Sequence, residues 1–247
     1  MTRGKFIIAA ATLLAAALIA GAASAAPAAA APLAEAAGGL SARVIQIFLL
    51  VTVLSLAPGI AMMITCLPFM VIVFSILRQA IGLQQAPPNM LIMSLSIFLT
   101  YFVMEPVFTA SWKDGVQPML NKDISEEQAF DRAIAPFRGF MEKRVSAKAI
   151  DTLTEVAPER KAEDGVTPLS VLVPAFMLSE IQRAFAIGFV IFLPFVIIDL
   201  IVASVLMAMG MVVVPPAIVA LPFKLAFFVM ANGWIEIAGA LVKGYGP

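Results

Sequence analysis

Few side chains in this chain could carry chemistry. There is no His, which removes Ser-His and Cys-His triads, His-based zinc sites and the usual base near neutral pH. Cys66 is the only Cys, so neither an intrachain disulfide nor a thiolate metal cluster can form. Its apolar neighbours make it a small buried hydrophobe. Ser, Asp and Lys occur, but in no nucleophile elbow, phosphate-cradling glycine loop or paired-carboxylate site. A protein that is not an enzyme, with no cofactor and no metal, is the expectation.

What remains is a handful of charges and methionines set in apolar sequence. Glu180 and Arg183 stand at i and i+3, share a helix face and can neutralise each other. Asp199 and Glu236 have no local partner. Charges in a bilayer are costly, so they mark an ion or proton pathway, packing between subunits, or a position outside the bilayer. Four breaks by Pro and few charges to line a path favour packing. Met207, Met209 and Met211 alternate beside Gly210, ahead of Val212-Val213-Val214-Pro215-Pro216. That pattern is a poor helix signal and reads as a flexible apolar loop, with the double Pro excluding helix through the next turn. Such a loop either fills space or faces lipid, or it forms a deformable constriction from unbranched thioethers.

The elements that hold these residues are themselves apolar. Of 247 residues 62% are hydrophobic and 13% charged, with a mean hydropathy of +1.00. A soluble domain carries about 25% charged residues, so membrane embedding is the expected class. The 16 basic and 16 acidic residues cancel, leaving no net field to select nucleic acid. Residues 1–25 have the layout of a cleaved signal peptide: Arg3 and Lys5, an apolar run from Phe6 to Ala20, then Ala23-Ser24-Ala25. An Ala-rich tail with Pro27 and Pro32 follows over 26–43.

A first hydrophobic region spans 44–110. Val44 to Leu77 carries no charge, and a continuous helix of that length would measure about 50 Å against a core of about 30 Å. Ala57-Pro58-Gly59 and Pro68 therefore predict a broken helix or a tight hairpin. Gly82 and Pro87-Pro88 end the next helix, with Arg78 a weak vote for a cytoplasmic face. The segment after Met90 is expected to close near Glu105-Pro106. Between Lys113 and Asp164 lie 20 of the 32 charges, the mark of a polar helical domain over 111–168, expected on the periplasmic side. There Ser125 with Gln128 forms a capping-box pair. Phe130, Ile134, Phe137, Met141 and Val145 give one apolar helix face, and Pro136 would bend it. The second hydrophobic region, 169–247, is expected to be cut by a polar break at Ser179-Glu180-Arg183 and by Pro194, Pro215 and Pro216. Leu-Pro-Phe recurs at 67–69, 193–195 and 221–223, and each Pro invites a kink.

Four blocks resemble the FliP family of flagellar export-gate proteins, which has relatives in virulence-type type III secretion. The first is Arg78-Gln79-Ala80-Ile81-Gly82-Leu83-Gln84-Gln85 with Pro87-Pro88-Asn89. The second is Phe176-Met177-Leu178-Ser179-Glu180 with Ala184-Phe185 and Gly188-Phe189. The third runs from Pro194-Phe195 through Asp199-Leu200 to Gly210-Met211. The fourth is Val214-Pro215-Pro216, Leu221-Pro222-Phe223-Lys224 and Gly233-Trp234.

The resemblance implies an all-α membrane protein of broken helices and helical hairpins, one subunit of a ring-like or helical oligomeric gate. Several copies, five by family analogy, would assemble with FliQ and FliR beside FlhA and FlhB. The setting would be the flagellar basal body in the bacterial inner membrane, and unfolded flagellar subunits would pass through. It also implies a gasket at Met209, Met211, Val212 and Val213, with the two valines standing where relatives often have Met. Glu180, Arg183, Asp199, Lys224 and Glu236 become assembly or packing residues. An ion-coupled secondary transporter using Asp199 and Glu236 as a relay, the equivalent subunit of a virulence injectisome, and a scaffold without a conduit stay open as alternatives.

Overall fold

The computed structural model describes residues 40–83, 87–157, 166–211 and 213–245. The expected signal peptide at 1–25, most of the expected N-terminal tail, Gln84 to Ala86 and Val212 lie outside the described residues. The regular elements among them are helices. They are α1 (Leu40–Ile64), α2 (Leu67–Ile81), α3 (Asn89–Ser111), a π-turn (Trp112–Val116), α4 (Gln117–Leu120) and α5 (Glu126–Arg144). α6 (Ala147–Val156), α7 (Leu169–Ala208), α8 (Pro216–Met230) and α9 (Gly233–Lys243) complete the order. Three stretches, Val44–Ile64, Asn89–Leu120 and Leu169–Ala208, are long and apolar enough to cross a membrane. The α8–α9 pair, bent by 59°, is a fourth if counted as one span. The chain is an all-α membrane protein.

Several expected breaks are absent, and the reason is common to them. α1 runs through Pro58 and α3 runs through Pro106 into the π-turn instead of closing there. α7 is a single helix of 40 residues that passes Pro174, Pro194 and the polar trio Ser179-Glu180-Arg183. A Pro removes one backbone bond, but in apolar surroundings no water competes for the rest of the ladder, so the helix is kept. The trio does not break α7 because its polar atoms find partners on other elements. The actual break in the first region falls at Thr65-Cys66, where Thr65 Oγ1 accepts from Leu67 N at 3.4 Å and Pro68 sits in the first turn of α2. The same Leu-Pro-Phe triplet thus opens α2 but lies inside α7 and α8. Pro215-Pro216 likewise starts a helix rather than excluding one, since Pro at the first helical position loses no bond and presets φ.

Contacts divide the chain into two units, residues up to Ile64 with Pro106–Lys143, and Thr65–Glu105 with Arg144–Pro247. In the first unit, Ser125 caps α5, its Oγ accepting from Gln128 N at 3.3 Å. Phe137 packs edge-on against Phe108 at 5.7 Å. Gly115 of the π-turn is buried against α5. A Cβ there would meet Ala133 N at 2.6 Å, so only glycine permits the approach.

The second unit contains the candidate site. α2 buries Phe69, Met70, Val73, Phe74 and Leu77, and α7 buries Leu172, Ala175, Phe176 and Ala184. These two helices pack along each other, and α8 and α6 pack on α7. Gly188 lets α7 close on α2, since a Cβ there would come within 2.4 Å of Ile76 Cδ1. Phe195 meets Phe227 edge-on at 6.0 Å, joining α7 to α8.

Candidate functional site

The Met-bearing loop is shorter and better defined at its start than the alternating pattern suggests. Met207 is helical, in the last turn of α7, and Met209 is its C-cap. Gly210 has φ +74°, Gly210 N donates to Met207 O at 3.0 Å, and Met211 N donates to Leu206 O at 2.9 Å. This is a Schellman closure, which needs a residue in the left-handed conformation and so needs glycine. The loop beyond it presents apolar side chains outward: Met209 is 66% exposed, Met211 38% and Val213 94%. α8 begins at Pro216.

Below the loop, Asp199 on α7 meets Lys224 on α8, with Asp199 Oδ2 2.6 Å from Lys224 Nζ. Each lies roughly two to three turns from the loop on its own helix. The pair therefore fixes the register of the two helices that carry the loop. Lys224 is buried and donates a second bond, to Ala80 O at 3.2 Å. That carbonyl is one of the last of α2, so the ammonium both caps α2 and complements its negative end. Arg78, two residues earlier, donates to Asn89 Oδ1 and ties α2 to α3. Nearby, Gly82 closes α2 with φ +89°.

A second polar cluster surrounds Glu180, which is fully buried. Arg183 Nη1 stands 2.6 Å and Arg144 Nε 2.9 Å from Glu180 Oε1. Arg183 also donates to Arg144 O at 2.8 Å. Ser179 Oγ accepts from Ser146 N at 3.0 Å, and Ser146 caps α6 by accepting from Ala149 N at 3.2 Å. Glu236 is apart from both clusters. It is exposed in the first turn of α9, where a carboxylate suits the positive helix end. The structure thus brings Asp199 to Lys224 and Glu180 to Arg183, and it joins neither carboxylate to Glu236. Arg144 and Tyr245, which complete the Glu180 cluster, are absent from the sequence-based candidates. Their only sequence signal was polarity beside apolar runs.

Apolar helices crossing at buried ion pairs, with an exposed apolar loop between the last two long ones, define an all-α, multi-pass membrane protein. Among known proteins, the chain belongs to the FliP family, whose model matches residues 50–241. It is 49% identical over 211 residues to the flagellar biosynthetic protein FliP of Agrobacterium fabrum, covering 84% of this chain and 86% of that one. The Caulobacter vibrioides protein of the same name is 47% identical over 84% of this chain and 78% of its own. The Bacillus subtilis one is 41% identical over 81% of this chain and 91% of its own.

Proposed function

We propose that this chain is a core subunit of the flagellar type III protein-export gate, where the loop from Met209 to Val214 helps close the conduit for unfolded flagellar subunits. The observation that carries this reading is the loop itself. Apolar side chains are held outward on a segment that the Gly210 closure starts, between two helices that the Asp199–Lys224 pair ties together. Exposed apolar groups in water are unfavourable, and the same loop from neighbouring copies would cover them. Met209 and Met211 supply plasticity, while Val213 supplies stiffer bulk.

Within this reading several copies, five by family analogy, surround the conduit with FliQ and FliR. FlhA and FlhB stand beside the gate in the inner membrane of the basal body. The stretch 111–168 lies on the periplasmic side behind a cleaved signal peptide. The chain acts without catalysis of its own. Asp199–Lys224 and Glu180–Arg183 set the helix packing that assembly requires, and exposed Glu236 is available to a neighbour.

The test is deletion of the gene with complementation, scoring motility and secreted flagellin together. Loss of both, restored by the wild-type chain, is the expected result; normal motility with normal secretion overturns the proposal. A photoprobe replacing Met211 should form an adduct with a stalled export substrate. Repeated absence of any adduct removes the lining role and leaves a scaffold.

A further inference from the structure

Tyr245 lies just beyond α9 and is engaged on every side. Its hydroxyl donates to Glu180 Oε2, and the Arg144 guanidinium covers its ring at 3.7 Å. The ring edge packs on Phe69 at 5.3 Å. Burial, and then the facing Glu180 carboxylate, push the hydroxyl well above its ordinary pKa, so it remains a donor. Arg144 Nη1 also donates to Gly244 O at 3.1 Å, at the C-cap of α9, placing a cation against the negative end of that helix. The far end of α9 is therefore fastened to α7 through Glu180 and to α2 through Phe69.

The near end of α9 is a tight corner. Asn232 has φ +49°, and the cap there makes no side-chain hydrogen bond. Gly233 lies so close under the Phe228 ring that a Cβ would meet it at 2.0 Å. A helix of 11 residues leaving such a corner pivots about it unless its other end is held. We propose that Tyr245 is the latch that holds it, fixing the 59° bend between α8 and α9. The chemistry suits a latch rather than a structural pillar. If the neutral hydroxyl withdraws, Glu180 keeps both guanidinium partners on Oε1, so no buried charge is stranded. Water replaces the lost donor, and the far end of α9 is left with Arg144's bond to Gly244 O and the buried Leu241.

The test is hydrogen exchange on the full chain in detergent, comparing wild type with Tyr245→Phe, which keeps the ring and removes the donor. Peptides from α9 are expected to exchange about ten- to a hundredfold faster, the range for one charge-assisted hydrogen bond, while α2 and α7 keep wild-type rates. Unchanged α9 rates, or equal acceleration of α2, α7 and α9, overturn the proposal. Spin labels on Val229→Cys with Ala240→Cys read the bend directly. The distance distribution should be narrow in the wild-type background and broader with Tyr245→Phe, and identical distributions count against the latch. Should Tyr245→Phe not be recoverable, wild-type exchange alone decides: a last turn of α9 as protected as its middle turn supports the latch, and a frayed one sinks it.

Discussion

Lys224 is the residue on which most of the second unit converges, because one ammonium serves Asp199 on α7 and the carbonyl of Ala80 on α2. Replacing it by Met leaves the half-exposed Asp199 carboxylate and a buried carbonyl without their donor. A loss of about 1–3 kcal/mol is expected, read as an earlier unfolding midpoint in mixed micelles. Adding Asp199→Asn should recover part of that loss, since the stranded charge is then gone. The same pair separates packing from relay. If Asp199 works by packing, Asp199→Asn alone lowers stability and export together. A variant with wild-type stability but no transport would instead revive the relay reading.

At the scale of elements, Gly210 decides where α7 stops and the loop begins. Gly210→Ala forces a Cβ into φ +74°, and the Schellman bonds from Gly210 and Met211 weaken. The expected cost is about 1 kcal/mol in the unfolding midpoint, together with reduced flagellin secretion, because the loop then leaves the helix in another direction. Wild-type secretion with the stability loss would separate the closure from the gate. Much at this scale was legible in the sequence: the helical class, the cap at Ser125, the stop at Gly82 and the Met-bearing loop before Pro215. The Pro-containing helices were not, because propensity scales assume water ready to replace a lost bond, and α7 keeps its helix past Pro174 and Pro194. Nor was the wiring of the site. Glu180 and Arg183 share a face at i and i+3, whereas Asp199 and Lys224, or Glu180 with Arg144 and Tyr245, meet only once helices distant in sequence have packed.

At the scale of the whole molecule, the length of α7 decides what its surface touches. Its 40 residues make a helix of about 60 Å, against a hydrocarbon core of about 30 Å, and outside Ser179-Glu180-Arg183 and Asp199 it is mostly apolar. Phe185, Phe189, Leu193, Ile197 and Leu200 are all exposed on it. No single placement in a bilayer covers that whole length with lipid, so part of this surface requires protein. Packing between helices of neighbouring copies supplies it without any hydrophobic drive in the bilayer, through close contact alone. A photocrosslinking residue in place of Phe189 should therefore form adducts between copies in the assembled complex. The same position should be reached weakly by a lipid-phase photolabel. A chain solubilised before assembly should show the opposite pattern, strong labelling and no crosslink. Lipid labelling of equal strength in both states would mean that α7 meets lipid at this position. The apolar surface would then be membrane span rather than subunit interface.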